Sequence, residues 1–257
     1  MDIKKDVQKQ FGTNAESYVN SELHKTGKDL RALINMASLT GTETVLDIAT
    51  GGGHTANAFA SLAQHVTALD LTSEMLKAAE GFISGNGHQN VSFIQGDAEK
   101  LPFPDSHFDI VACRIAPHHF PNAEKFVKET YRVLKKDGQF LLDDNVVPEL
   151  DEFDQFYNAI EKKRDYSHFR AWKKTEWIQM LEQEGYEICE FQRFTKTFMF
   201  DSWCGRMKLP LSEQMELNDF ILRASEQTKA KFRIEIKGGK VVSFQGEALI
   251  LKAVKRL

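Results

Sequence analysis

Cysteine is scarce in this sequence. Cys113, Cys189 and Cys204 are widely spaced, odd in number, and form no CxxC pair. That excludes a disulfide-stapled scaffold and a cysteine-based metal site, and it suits a reducing, cytoplasmic setting. Long apolar runs are missing too. No stretch of about 18 apolar residues occurs, and MDIKKDVQKQFG lacks the apolar centre of a secretory leader, so no stable membrane insertion is expected. Neither sign of charge dominates: 33 Lys and Arg stand against 37 Asp and Glu, for a formal net charge of -4. That balance argues against a large nucleic-acid footprint and leaves open only a local basic patch. Internal repeats and low-complexity tracts are absent. What remains is an ordinary globular composition, 42% hydrophobic and 27% charged, in 257 residues. That is enough for one sizeable α/β domain.

Short apolar runs alternate with amphipathic stretches from residue 44 to about residue 144. Strands are expected at 45–49, 66–69, 91–94, 108–113 and 139–142. Helices are expected at 56–63, 73–83 and 122–134, the last ending at Lys135-Lys136-Asp137-Gly138. Several strands are apolar throughout, which implies a parallel sheet covered on both faces. A polar, helix-prone arm (1–40) precedes this core (41–147). The charged, aromatic-rich stretch after it is too long for a loop. Then follow a strand at 186–200, a helix at 211–227, and a closing pair of strands at 232–236 and 241–254.

In VLDIATGGGHTA an apolar strand runs into three glycines and then a helix. Glycine lets the main chain approach a ligand with no Cβ between, and the helix start offers unpaired N–H groups. A dinucleotide fold would want GxGxxG here, with phosphate on the helix end. Ala56 fills the third glycine slot, which is tolerated, but Asp47 beside the turn disfavours a pyrophosphate and favours a cation such as an amino-acid ammonium. Asp70 closes the next strand, where an acid can accept two ribose hydroxyls. Asp97 closes the third, where it can accept from an adenine amino group while the Ala98 N–H donates to the ring. Any one of these acids alone is as well explained as a helix cap or turn aspartate, Asp70 before Leu-Thr-Ser most of all. Three at successive strand ends, with the glycine turn, point to an adenosine carrying an amino-acid tail: S-adenosylmethionine.

The segments VLDIATGGG, LDLTSEML, VSFIQGDAEKLPFPDSHFDIV and EKFVKETYRVLKKDGQFLL, in this order, resemble the class I S-adenosylmethionine-dependent methyltransferases. The subgroup they are most similar to is the ubiquinone/menaquinone-biosynthesis C-methyltransferase type with its bacterial relatives. The resemblance covers roughly residues 10–147. Ala49 stands where the family motif D-x-G-x-G-x-G has its first glycine. The resemblance implies a Rossmann-like, seven-stranded, mostly parallel sheet of order 3-2-1-4-5-7-6, its last strand antiparallel and formed near 247–253, with helices on both faces. It implies one methyltransferase domain over 1–257, with lid or insert segments at 148–185 and 200–235. It also implies cofactor contacts from Asp47, Ala49, Thr50, Gly51, Gly53, Asp70, Leu71, Asp97, Ala98 and Arg114.

Methyl transfer from a sulfonium is an in-line displacement, so the enzyme aligns the acceptor and excludes water, adding a base only where the acceptor must lose a proton. CRIAPHHFPN ends the fourth strand, which makes His118 and His119 candidates for an acceptor or proton role beside a purely structural one. Adjacent histidines are no metal site by themselves, since consecutive side chains usually diverge, and no metal is expected. Asp144, in the Asp143-Asp144-Asn145 cluster after the fifth strand, is a third catalytic candidate. Tyr166, His168 and Arg170, in KKRDYSHFRAWKKTEW, are expected to grip the acceptor, as are Phe11, Tyr18 and His24 of the arm; plain packing is the competing account for each. The loop lacks the (N/D)PPY signature of methyltransferases acting on base or glutamine amino groups. Ala112 rather than proline precedes Cys113, which reads as a buried strand cysteine. The acceptor is expected to be a small molecule, methylated on carbon, oxygen or nitrogen. Competing readings are quinone-precursor C-methylation specifically, a non-catalytic S-adenosylmethionine-binding protein, and an NAD(P)-dependent oxidoreductase, which Asp47 and Asp97 speak against.

Overall fold

The computed structural model describes residues 3–13, 19 and 27–256. The arm contributes α1 (Ile3–Gly12) and α2 (Lys28–Met36). The core then alternates β1 (Thr44–Ile48), α3 (His54–Ala60), β2 (His65–Asp70), α4 (Ser73–Gly85), β3 (Val91–Gln95), β4 (Phe108–Arg114), a 3-10 turn (Pro117–His119), α5 (Ala123–Val133) and β5 (Leu134–Val147). After it come α6 (Asp151–Arg164), β6 (Trp172–Lys173), α7 (Lys174–Glu184) and β7 (Tyr186–Met199). The chain closes with α8 (Phe200–Gly205), α9 (Leu211–Leu222), α10 (Glu226–Lys231), β8 (Glu235–Lys237) and β9 (Lys240–Lys255).

The long strands lie in the order β3-β2-β1-β4-β5-β9-β7. Counted along the chain among the long strands, that is 3-2-1-4-5-7-6, the family order. Pairing is parallel from β3 to β5, and β9 runs antiparallel to both β5 and β7. Two short strands are additions to the expected seven: β6 beside β5 and β8 beside β9. Alternate side chains of each central strand feed opposite cores. Leu46, Val111, Leu142 and Leu251 meet Phe126 of α5 and Trp177 of α7 on one face. Val45, Ile110, Leu141 and Ile250 meet Leu33 of α2, Phe59 of α3 and Ile83 of α4 on the other. A third core joins Phe153, Tyr157 and Ile160 of α6 to Trp203 of α8, Leu217 of α9, Phe232 and Phe244.

Several boundaries differ from the expectations. The fifth strand begins at Leu134 rather than 139, because the chain leaves α5 already extended and absorbs its bend at Asp137, in the left-handed region (φ 60°). The helix expected over 211–227 is two helices. Ser225 breaks it by accepting the Thr228 N–H at 3.0 Å, which starts α10. Phe232, expected in a strand, instead ends α10 and is buried in the third core.

Candidate functional site

A cleft of about 1010 Å3, counting the space open to solvent at its mouth, lies over the carboxyl ends of the parallel strands, where open α/β sheets bind ligands. Its floor is the turn after β1. Ala49 (φ 56°) and Gly51 (φ 52°) both adopt the left-handed conformation. For Ala49 this carries strain that glycine would not, at the slot where the family motif has glycine. At Gly51 a Cβ would meet only the Ala49 carbonyl, at 4.0 Å, so the main chain lies bare toward the cavity. Thr50 lines the cleft beside them.

Two predicted contacts sit behind the turn instead of in the cleft. Asp47 is buried below it, one carboxylate oxygen accepting from Thr50 Oγ1 at 2.6 Å and from the Ala56 N–H at 3.0 Å. These bonds tie the turn to the start of α3. Burial pushes the Asp47 carboxyl up to about 7 despite them. Gly53 faces α4: with φ 84°, a Cβ there would come within 3.0 Å of Ala79 and Ile83. Its service is to helix packing.

Asp70, Leu71, Asp97, Ala98 and Arg114 all line the cleft. The Asp70 carboxylate accepts the Gly51 and Thr72 N–H groups, each at 2.9 Å. Its pKa is raised by burial. Each carboxylate oxygen has capacity for a further donor. Asp97 accepts the Glu99 N–H at 2.9 Å and the Lys4 ammonium at 2.6 Å; Lys4 also reaches Glu99 at 2.6 Å. Lys4 crosses from α1, so the arm closes this side of the cleft, and the Leu71 carbonyl accepts from Gln8 of the same helix at 3.1 Å. Burial pulls the Lys4 ammonium down, but the bonds and charges of Asp97 and Glu99 hold it above its ordinary value. Arg114 donates to Asp29 of α2 at 2.6 Å and lies 3.4 Å from Asp143.

Past β4 the chain turns sharply. Ile115 sits in the left-handed region (φ 53°), a costly place for a β-branched residue. Its N–H donates to the Asp143 carbonyl at 2.7 Å. This kink carries the turn 117–119 across the cleft, where Ile115, Ala116, His119, Phe120 and Pro121 form an apolar wall with one imidazole. Phe11 of α1 meets the His119 ring edge-on, centroids 5.1 Å apart. His118 turns the other way, its Nδ1–H donating to Asp144 at 2.6 Å. Burial pulls His118 down, yet the Asp144 carboxylate outweighs it and raises the ring. His119 donates from Nδ1 to the Ser167 carbonyl at 3.0 Å. Burial and the neighbouring His118 charge bring it down to about 4, so near neutrality it is an uncharged ring whose Nε2 keeps its lone pair.

Among the catalytic candidates, then, only His119 lines the cleft; His118 and Asp144 form a buried pair behind it. The expected acceptor grip is placed elsewhere. Arg170 pairs with Asp154 and Glu176, each at 3.0 Å, and stacks on Trp172. His168 is buried against Asn158 Oδ1 at 2.9 Å, and Tyr166 is exposed. Their chemistry serves the joint between α6 and α7. Tyr18 and His24 lie outside the described residues. Cys113 is fully buried in β4, and its thiol is pushed well above the ordinary range by burial and four nearby carboxylates. Lys4 and Glu99 were not legible as site residues: Lys4 is one of several lysines in a polar arm. Glu99, two residues after Asp97, had a weak signal in its spacing.

Residues 46–142 match a family model described as a methyltransferase domain. Over 247 residues, 96% of this chain and 98% of the other, the sequence is 37% identical to an uncharacterized methyltransferase, YcgJ, of Bacillus subtilis strain 168. The crystal structure of YcgJ matches with a TM-score of 0.87 over 89% of this chain and 98% of that one. A candidate methyltransferase of Bacillus halodurans C-125 is 55% identical, with a TM-score of 0.88 over 90% of this chain and all of that one. The ubiquinone/menaquinone biosynthesis C-methyltransferase UbiE of Ectopseudomonas mendocina is 36% identical over 124 residues, 47% of this chain and 48% of its own. A likeness sustained along nearly the whole chain, on top of the strand order and the glycine turn, places this protein in the S-adenosylmethionine-dependent methyltransferase family.

Proposed function

We propose that this methyltransferase acts on a small-molecule acceptor held at the His119 end of the cleft. The residues present fit the methyl donor. The bare main chain at Gly51 suits its amino-acid tail, Asp70 has acceptor capacity for ribose hydroxyls, and Asp97 with Ala98 borders the far end for the adenine. When bound, the cofactor supplies an electrophilic methyl group on a sulfonium. The chain's own residues do the rest. Phe11, Ile115, Phe120 and Pro121 exclude water and orient an acceptor with an apolar body. His119 takes the acceptor's proton at Nε2 where one must leave, so that the electron pair freed on the acceptor forms the new bond to carbon. The observation that carries this reading is an imidazole in the wall of an otherwise apolar pocket end, its Nδ1 held by the Ser167 carbonyl. Quinone-precursor methylation draws support from the UbiE likeness, but that likeness spans about half of either chain.

The test is release of S-adenosylhomocysteine across a panel of small hydroxyl, amine and carbon-acid acceptors. With a proton-losing acceptor, His119→Gln is expected to lower kcat on the order of 100-fold or more while cofactor affinity stays within about twofold. Unchanged kcat would remove the base. Methylation of a macromolecule, with no turnover of any small acceptor, would overturn the acceptor class.

A further inference from the structure

Behind the apolar wall lies a second set of buried polar groups. The loop 165–170, which follows α6, is pinned to the turn 117–119 where the N–H groups of Phe169 and Arg170 both donate to the His118 carbonyl at 2.9 Å. Inside the loop, Asp165 Oδ1 accepts the Ser167 hydroxyl at 2.5 Å and the Ser167 N–H at 2.8 Å. The Asp165 carbonyl accepts the His168 N–H at 3.0 Å. Asp165 and Ser167 are both buried. This small, self-bonded loop aims the Ser167 carbonyl at His119 Nδ1, 3.0 Å away, and sets Ser167 Oγ at 3.4 Å from the same nitrogen.

Counting protons decides what the ring can be. A carbonyl oxygen only accepts, so Nδ1 carries the hydrogen. The Ser167 hydroxyl has one hydrogen, and the Asp165 carboxylate takes it, leaving only lone pairs on Oγ for Nδ1. Burial opposes ionisation of Asp165, while the two bonds from Ser167 and the Arg164 charge favour the carboxylate form. With both Ser167 oxygens turned to Nδ1 as acceptors, the remaining lone pair of His119, a residue that lines the cleft, is on Nε2. The other groups facing the ring are His118 with Asp144, the ring of His168 at 6.5 Å, and Phe11 from α1. None of them bonds to Nδ1.

We propose that Asp165 and Ser167 are positioning residues that hold His119 in the single tautomer able to accept a proton from the cleft. Neither touches the acceptor; they act through His119. The inference rests on reading His119 as the proton acceptor, and it adds that the segment after α6, from behind the wall, sets the proton inventory of the site's base.

Ring nitrogen NMR of the full-length, 15N-labelled protein tests this without knowledge of the acceptor, with His119→Gln assigning the signal. The wild-type ring is expected as one tautomer, Nδ1–H, from pH 6 to 8. Asp165→Ala frees the Ser167 hydroxyl and N–H, and is expected to split the His119 signal into a mixture of tautomers. Ser167→Ala keeps the carbonyl, and with it the Nδ1–H form. A wild-type ring protonated on Nε2 overturns the proposal even if Asp165→Ala fails to fold. So does a folded Asp165→Ala chain that retains one tautomer. Failure of the base reading is separable: if His119→Gln leaves kcat intact while the tautomer behaves as described, the positioning stands and the base role falls.

Discussion

Asp70 has two duties that a single substitution separates only in part. Its carboxylate holds the Gly51 and Thr72 N–H groups, shaping the cleft, and under the proposed function it accepts the ribose hydroxyls. Asp70→Ala is expected to weaken S-adenosylmethionine binding by roughly 1.5–3 kcal/mol, the cost of losing hydrogen bonds to a charged group. Isothermal calorimetry checks this, and an unchanged affinity would take Asp70 out of the site. Asp47 shows the opposite division. It was expected among the cofactor contacts because it stands next to the turn in sequence. In three dimensions its bonds from Thr50 of the turn and from Ala56 of α3 converge on one oxygen below the loop. Adjacency in sequence shows that an acid is near a ligand, but the direction of its side chain is decided by which neighbour offers a donor.

The start of α3 shows how tightly one element is fitted to another. Gly53 is its N-cap, in the left-handed region, with Ala79 and Ile83 of α4 at 3.0 Å from where a Cβ would sit. Gly53→Ala adds backbone strain to overpacking, and is expected to destabilise the fold by about 1–3 kcal/mol. Denaturant unfolding would show it as a lower midpoint at unchanged slope, and a midpoint within error of wild type would refute it. Helix α1 is held differently, by the Lys4 ion pairs with Asp97 and Glu99 and by Gln8 on the Leu71 carbonyl. These are half-exposed polar contacts and contribute modestly.

Across the whole molecule, buried carboxyls make stability depend on pH. Asp143 is fully buried between Arg114 and Lys196, and burial pushes it up to about 7 even though those two cations oppose the shift. Its folded pKa thus lies above the unfolded value of about 3.9. The stability it contributes is fully present below about pH 4 and is lost as pH rises through 7. His119 acts in the opposite sense, since its folded pKa of about 4 makes stability fall as pH drops below about 6.5. Between pH 6 and 8 the wild-type chain is expected to lose on the order of 1 kcal/mol through Asp143. Asp143→Asn should abolish that part of the slope. Unfolding free energies at the two pH values check it, and an unaltered slope would show that Asp143 titrates elsewhere.

The alternation of strands and helices and the glycine turn after the first strand were legible in the chain itself. Alternating apolar runs and a glycine turn followed by acids at successive strand ends are local patterns, and the hydrophobic effect and backbone sterics read them locally. The order in which β9 inserts between β5 and β7 came only through the family resemblance, because strand pairing is a long-range choice. The acceptor end was less legible. His118 and His119 are neighbours in sequence, yet one faces a buried carboxylate and the other the cleft. Tyr166, His168 and Arg170 looked like a grip, yet each found a nearer partner or solvent. Sequence by itself determined that this chain builds a nucleoside-binding α/β sheet and uses a sulfonium donor. Tertiary structure alone decided which imidazole lines the cleft, because burial, tautomer and charge depend on groups from β5 and the loop after α6, which meet only when the chain is folded.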